Sequence, residues 1–231
     1  MEMPKQVTES QLERLRSITT PTISNAIEQL GVRRRDEGYT NASIKCIFPE
    51  LGAIVGYACT ALIRSAQPDS HPRHPSRKPY WDHLLKYPAP RIVVVQDLDQ
   101  PPSGAQWGEV NANIHRALGC VGVITDGTVR DLDEVRALGF QFFASGIAVS
   151  HAYCHIEDFD IPVRVGGLIV RPGDLLHADK HGAITIPAGL VEEVISAATE
   201  VERYERPIIQ LCKSEGFSTE RLAELVGRPI K

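Results

Sequence analysis

The chain lacks the features that mark several common classes of protein. Its 231 residues include no apolar run long enough to span a membrane, and the segment MEMPKQVTESQLERL has no apolar core of signal-peptide type. Only five cysteines occur, without a C-x-x-C pair, which argues against a disulfide framework and against a zinc site. We therefore expect a soluble cytoplasmic protein whose cysteines are free thiols.

Basic stripes and nucleotide-binding loops are absent as well. The formal net charge is −4, and the basic triplet 33–35 is followed at once by two acidic residues, so no stretch could neutralise a row of phosphates. The chain has neither the Gly-Lys-Ser/Thr ending of a Walker loop nor a G-x-G-x-x-G fingerprint. These absences exclude a general nucleic-acid binder and leave nucleotide binding without support.

Helices are predicted at the N-terminal end, over about residues 8–31. A capping-box pattern formed by Thr8 and Gln11 precedes the first helix. The second helix has Thr20 as its predicted N-cap, Pro21 at the first helical position and Gly31 as its stop.

Helices are also predicted at the C-terminal end, over about residues 188–228. The first begins near Ala188 and is interrupted near Pro207, because proline lacks the N–H group that a helix interior requires. A short last helix is capped by Ser218 or Thr219 and ends at Gly227.

The middle of the chain alternates between strand-like and helical patterns. Strand-like runs occupy residues 44–63, 91–98, 119–125, 140–143, 146–149, 161–165, 168–170 and 183–186. Helices with Ile114 and Leu118, and with Leu132, Val135 and Leu138, on their apolar faces lie between them. Without internal repeats or a linker, the pattern predicts one α/β domain over residues 1–231 with helical extensions at both ends.

Residues 65–79 are rich in proline, histidine and basic residues. We interpret them as a surface loop or a flap over an active site. A zinc site built from His71, His74 and His83 is the weaker reading, because no cysteine or acidic partner stands at a fixed spacing.

The segment GCVGVITDGTVRD, residues 119–131, sets Arg130 and Asp131 side by side where a strand gives way to a helix. Asp131 is predicted in the first turn of that helix, where the dipole favours an ionised carboxylate suited to Mg²⁺ or Mn²⁺. Arg130 offers a fork of donors that matches a substrate carboxylate. The alternative is an ordinary helix-terminal charge beside a solvated arginine.

The loop SGAQWGEVN, residues 103–111, precedes a predicted helix. Backbone N–H groups at a helix N-terminus, with a glycine for close approach, can bind a carboxylate or a phosphate. The alternative is a glycine-containing loop without a ligand. Trp107 and Trp81 are predicted to pack in the core, although Trp107 could wall a pocket beside Gly108.

Taken together, GEVNANIHRALGCVGVITDGTVRD resembles the family that contains the regulator of ribonuclease E activity and the class II 4-hydroxy-4-methyl-2-oxoglutarate aldolases with oxaloacetate decarboxylase activity. The similarity extends from PTISNAIEQLG through VGYACTA to VRPGDLLHADKHGAITIP. It implies a ββα swivelling domain assembled as a homotrimer or hexamer, with active sites near subunit interfaces.

The resemblance also implies roles for six matching residues. The backbone of Gly108, Glu109, Val110 and Asn111 would hold a pyruvoyl substrate together with Arg130, and Asp131 would hold a divalent metal. Arg130 and the metal would stabilise the pyruvate enolate left by retro-aldol cleavage or decarboxylation. Glu109 is a candidate base, although a solvated carboxylate is an equal reading.

One departure from the family pattern concerns Asn25, which stands where aldolase-type members carry an acidic residue. Asparagine cannot accept a proton, so it puts the aldolase step in question but leaves enolate stabilisation intact. The leading hypothesis is thus a metal-dependent lyase acting on a 2-oxo acid. The rival is a non-catalytic trimer that binds a protein such as an endoribonuclease, and a phosphocarrier role finds no histidine motif.

The remaining histidines are predicted to be structural. His151 and His155 lie in a strand-like context, and His177 and His181 flank a turn that Asp179 shapes.

Overall fold

The computed structural model describes residues 6–70 and 77–227. Seven α-helices are found within these residues: α1 (Glu9–Arg16), α2 (Thr20–Leu30), α3 (Arg77–Leu84), α4 (Glu109–Ala117), α5 (Leu132–Leu138), α6 (Val191–Cys212) and α7 (Thr219–Val226). Thirteen strands accompany them: β1 (Lys45–Cys46), β2 (Ile54–Arg64), β3 (Arg91–Asp97), β4 (Ala105–Trp107), β5 (Cys120–Thr125), β6 (Thr128–Val129), β7 (Gln141–Ala144), β8 (Gly146–Ile147), β9 (His155–Phe159), β10 (Val163–Val165), β11 (Leu168–Val170), β12 (Leu175–Asp179) and β13 (Gly182–Ile186). The predicted α/β architecture with helical extensions at both ends is confirmed.

An eight-stranded mixed sheet forms the centre of the fold. Its order is β1-β7-β5-β3-β2-β12-β13, and β9 pairs with the second half of β2. The strands β2, β3, β5 and β7 are mutually parallel, so their carboxyl ends meet at one edge. A small parallel sheet, β4-β6-β8, and the hairpin β10-β11 complete the β-structure.

Alternate residues of the central strands face opposite layers, as the twofold period of a strand requires. On β3, Val93 and Val95 join an apolar core with side chains from α3, α4 and α5. Ile92 and Val94 face the other way, toward the β10-β11 hairpin. Because both faces are covered, the strand reads as the continuous apolar run IVVV.

The terminal helices α1, α2 and α6 pack together against β2, β12 and β13. The capping box at Thr8 and the left-handed stop at Gly31 are confirmed. The predicted N-cap of α2 is wrong by one residue, because the Thr19 side chain accepts the N–H of Thr22. Thr20 is instead the first helical residue, and its backbone N–H donates to Asp179 Oδ2 at 3.0 Å.

Two further expectations need correction. The helix α6 continues through Pro207 without a break. Pro207 is exposed, and so is Arg203, whose carbonyl loses its helical partner to the proline. Helix α3 begins at Arg77, inside the segment predicted as a loop. His71 and His74 lie outside the described residues. Within the described ranges, no helix is both long and apolar enough to cross a membrane.

Candidate active site

The parallel pairing of β4 with β6 brings the two predicted functional segments together. Trp107 is opposite Val129 in this register, and the Arg130 N–H donates to the Trp107 carbonyl at 2.9 Å. The residues that follow each strand, Gly108 on one side and Asp131 on the other, therefore lie next to each other. The expected loop before α4 is in fact strand β4, and the helix begins directly after Gly108.

Asp131 does not lie in the first turn of α5, as the sequence suggested. It is the N-cap residue, with φ 55° and ψ 50°, and its side chain makes no capping bond to that helix. Its Oδ2 accepts the backbone N–H of Glu109, at 2.9 Å, and so caps α4. A left-handed backbone at a non-glycine residue costs on the order of 1–3 kcal/mol, and such strain is concentrated at functional sites.

Gly108 leaves the space that this carboxylate occupies. A Cβ atom added to Gly108 would overlap Asp131 Oδ2 and would lie 3.1 Å from Arg130 Cγ. The backbone φ of Gly108 is −155°, an extended value that any residue adopts. The requirement for glycine is thus one of space, not of backbone conformation.

Arg130 and Asp131 stand at the wall of a cavity of about 580 Å³. The same wall includes Gly108, Val110 and Asn111, while Glu109 contributes its N–H to Asp131. The Arg130 Nε lies 3.8 Å from Asp131 Oδ2, and the two side chains are 36% and 37% exposed. The structure therefore brings the six predicted residues together, with the cation and the carboxylate open to a ligand.

The remaining part of the cavity wall was not predicted from the sequence. It comes from α3 and from residues 151–156, and it includes Tyr80, Trp81 and Tyr153. His151 and His155, for which we expected a structural role, both line the cavity. No short-range pattern could have found this wall, because the segment is positioned by long-range bonds such as that from the Tyr153 N–H to the Ser65 carbonyl at 3.1 Å.

A buried histidine connects the two walls. His115 Nδ1 lies 2.7 Å from the Asn111 carbonyl, and its Nε2 lies 3.0 Å from the Tyr80 hydroxyl. Because a carbonyl only accepts, Nδ1 carries the proton and Nε2 accepts the Tyr80 O–H. Burial lowers the pKa of His115 to about 4, so the ring is neutral. Ala112 and His115 are the buried residues of α4, while the predicted Leu118 is partly buried and packs against the same core.

Buried carboxylates lie at the carboxyl ends of β3 and β5. Asp126 Oδ1 accepts the Asp97 N–H at 2.7 Å, and Ser65 Oγ lies 3.4 Å from Asp97 Oδ2. Burial raises the pKa of Asp126 to about 6 and also raises the pKa of Asp97. This network fixes the turn that carries the chain into β6 and on to Arg130.

Other predicted residues keep structural positions. His177 is fully buried and bonds to Thr20 and to the Leu15 carbonyl, while Asp179 accepts the N–H groups of Thr20 and His181. His83 is buried on α3, and burial lowers its pKa.

The five cysteines are free, as expected. Cys154 lines the cavity, and burial raises its pKa to about 12, so it remains a thiol and is unsuited to nucleophilic attack.

Two buried polar atoms beside Gly108 also lack a partner among the described residues. They are Gln106 Oε1 and Trp107 Nε1, and both residues line the cavity. An unpaired buried polar atom costs about 1–3 kcal/mol.

The donor set fits a hydrated hard cation. Asp131 presents a partly exposed carboxylate to the cavity, and Mg²⁺ characteristically uses one or two carboxylates while keeping several waters. In residues 6–70 and 77–227, no group of three His, Cys, Asp or Glu side chains could hold a metal by itself. A closed tetrahedral zinc site would need such a group.

Asn25 lies on α2, a helix that packs against α6 and the β12-β13 pair. It is not part of the cavity wall in this chain.

The sequence model of RraA-like proteins, described as Aldolase/RraA, matches residues 20–185. The chain belongs to the RraA-like family. The matched region includes all six predicted site residues and excludes α6 and α7.

Named relatives of this RraA-like chain are similar over part of their length. A protein of Halalkalibacterium halodurans, provisionally named 4-hydroxy-4-methyl-2-oxoglutarate aldolase, is 32% identical over 48% of this chain and 53% of its own. A protein of Ectopseudomonas mendocina with the same provisional name is 35% identical over 37% of this chain and 54% of its own. The chain thus spans about half the length of these curated relatives.

Solved structures share the fold. An uncharacterised protein from Pseudomonas syringae pv. tomato superposes with a TM-score of 0.71 at 25% identity, covering 95% of this chain and 99% of that one. Streptomyces coelicolor RraAS2, described as an unusual member of the RNase ES inhibitor RraA family, superposes with a TM-score of 0.69 at 23% identity, covering 87% and 96%. The second likeness concerns the fold alone.

Proposed function

We propose that this chain is a divalent-metal-dependent lyase that cleaves a carbon–carbon bond of a 2-oxo acid through a pyruvate-type enolate. The observation that carries the proposal is the position of Arg130 and Asp131 at the cavity wall. The Asp131 carboxylate lies there in the space that the missing side chain of Gly108 provides. The provisional aldolase names of two relatives support the same class of reaction.

Arg130 binds the substrate carboxylate or its developing enolate oxygen in this proposal. Its guanidinium offers paired donors that match the two oxygens of a carboxylate. The first turn of α4 adds backbone N–H groups that have no partner within the helix, since the first four N–H groups of any helix lack one. These groups orient the 2-oxo acid at Gly108.

Asp131 would hold the metal, which when bound supplies Lewis-acid polarisation of the keto oxygen. The bond from the Glu109 N–H fixes the Asp131 carboxylate, so its remaining acceptor positions are held toward the cavity. In a retro-aldol reaction the C3–C4 bond breaks and its electron pair passes to C3. The C4 hydroxyl loses its proton as the carbonyl product forms, and C3 of the enolate then gains one.

A regulator that only binds a protein partner, the rival hypothesis, does not require a cation and a carboxylate beside a cavity. The geometry therefore favours the lyase. Assembly as a trimer or hexamer is part of the same proposal. It is supported by the exposure of Ile147 and Val149, which are 62% and 95% accessible in the single chain.

Pyruvate release tests the proposal. Purified protein is assayed with oxaloacetate and with 4-hydroxy-4-methyl-2-oxoglutarate, with Mg²⁺ or Mn²⁺ and then with a chelator. We expect release that depends on the metal and is lost in Asp131→Ala. A lack of release from a broad panel of 2-oxo acids, with a folded protein, would overturn it.

A further inference from the structure

The part of the cavity wall that comes from α3 and residues 151–156 has its own chemical character. Its described apolar members are Tyr80, Trp81, Tyr153 and Ile156, which we call the distal wall. Tyr80 is 4% exposed and packs edge-on against Phe159, and Trp81 and Ile156 pack against the main core. The distal wall is therefore largely a fixed surface.

Tyr153 adds an exposed aromatic side chain to this surface. It is 57% exposed, although its backbone N–H is held by the Ser65 carbonyl. The preceding residue, Ala152, has φ 47°, so the turn that presents Tyr153 is held in a strained conformation. A flat apolar group in the cavity would therefore have both this ring and the fixed surface available for packing.

The charges around the distal wall do not favour a second anion. Among the described residues there, Arg77 and Asp69 carry one charge of each sign. His155 is already engaged, since its Nδ1 lies 2.8 Å from the Tyr153 carbonyl and its Nε2 lies 3.4 Å from Glu157. His151 Nδ1 lies 2.7 Å from the Ala152 carbonyl.

The volume of the cavity also indicates a substrate with a large distal part. A cavity of about 580 Å³ lies within the range of about 300–1,000 Å³ that encloses drug-sized ligands, far more than the three carbons of pyruvate need. From the aromatic surface, the balanced charges and this volume, we infer that the substrate is a 2-oxo acid whose distal part carries an aromatic ring. The inference rests on the proposed function for the binding of the oxo-acid end.

Binding of three unreactive acids tests it. The probes are 2-oxobutanoate, 2-oxoglutarate and 2-oxo-4-phenylbutanoate, which carry nothing, a carboxylate or a phenyl ring on carbon four and have no hydroxyl for a retro-aldol step. Each is titrated into the full chain with Mg²⁺ by calorimetry. We expect the phenyl compound to bind about tenfold tighter than either other acid, because burial of one ring contributes on that order.

Two variants test whether Tyr153 is responsible for the preference for the phenyl compound. Tyr153→Ser should reduce the phenyl preference at least threefold while leaving 2-oxobutanoate binding unchanged. Tyr39→Ser is the matched control, since Tyr39 is 41% exposed and is not part of the cavity wall. Tighter binding of 2-oxoglutarate, or a preference that Tyr153→Ser does not change, overturns the inference.

The results distinguish failure of the aromatic inference from failure of the proposed lyase function. If all three acids bind equally and Arg130→Ala weakens each, the oxo-acid site stands and the aromatic inference is wrong. If the phenyl preference is found but no 2-oxo acid is cleaved, the inference stands and the lyase is wrong. Absence of binding by all three acids overturns both.

Discussion

The carboxylate of Asp131 caps helix α4 by accepting the backbone N–H of Glu109 at 2.9 Å, although Asp131 itself immediately precedes α5. One side chain thus joins the N-termini of two helices and remains 37% exposed to the cavity. Changes at either helix end should therefore alter the same site.

Removal of the Asp131 carboxylate should abolish metal-stimulated pyruvate release. We expect Asp131→Asn to lower kcat by about 100-fold or more, comparable to the loss of one oxyanion-stabilising group. The asparagine can still accept the Glu109 N–H, so circular dichroism and the melting temperature should change little. Activity that is retained in this variant and insensitive to chelator would contradict the assignment.

Gly108→Ala tests the space beside Asp131. The added Cβ would overlap the carboxylate, so we expect a fall in kcat/KM of at least tenfold as Asp131 and Arg130 are displaced. Gly146→Ala is the matched control, because its Cβ would meet only Thr128 Cγ2, at an ordinary 3.9 Å. Equal activity in the two variants would show that the contact has no functional consequence.

Because His115 is buried in its neutral form, the free energy of unfolding should fall as the pH is lowered from 6.5 toward 4. Its folded pKa of about 4 lies below the usual value of 6.5, so the unfolded chain binds the additional proton between these pH values. The contribution of His115 is complete above pH 6.5 and is lost as the pH falls toward 4, by up to about 3 kcal/mol.

His115→Gln isolates this contribution. Its free energy of unfolding, measured by urea denaturation at several pH values, should fall less steeply below pH 6.5 than that of the unchanged protein. His177 is also buried with a lowered pKa and is present in both proteins, so its contribution cancels in the difference. Parallel pH profiles would contradict a buried neutral His115.

A charged substitution at Val149 tests the proposed assembly into a trimer or hexamer. Val149 is 95% exposed just beyond β8, the edge strand of the small sheet, and Ile147 two residues earlier is also exposed. If this surface lies between subunits, Val149→Asp should shift the mass measured by light scattering toward the monomer. Val32→Asp, at a residue 46% exposed on the loop after α2, is the control and should leave the mass unchanged.

The sequence by itself determined the features that depend on neighbouring residues. The capping box at Thr8, the stop at Gly31 and the cap at Ser218 each satisfy backbone groups within a few positions, so local patterns predicted them. The apolar run of β3 likewise predicted a strand, and the structure shows that both faces of this strand are covered. The family resemblance selected the six site residues.

Only the tertiary structure decided how those residues meet. The bond between Glu109 and Asp131 joins positions 22 residues apart, and the register of β4 against β6 sets it, which no local pattern encodes. Helix α3 and residues 151–156, which form the distal wall, are positioned by long-range packing and by bonds to distant backbone groups. The sequence could therefore name Arg130 and Asp131 as candidate site residues, whereas the shape of the cavity around them was decided by the pairing of distant strands.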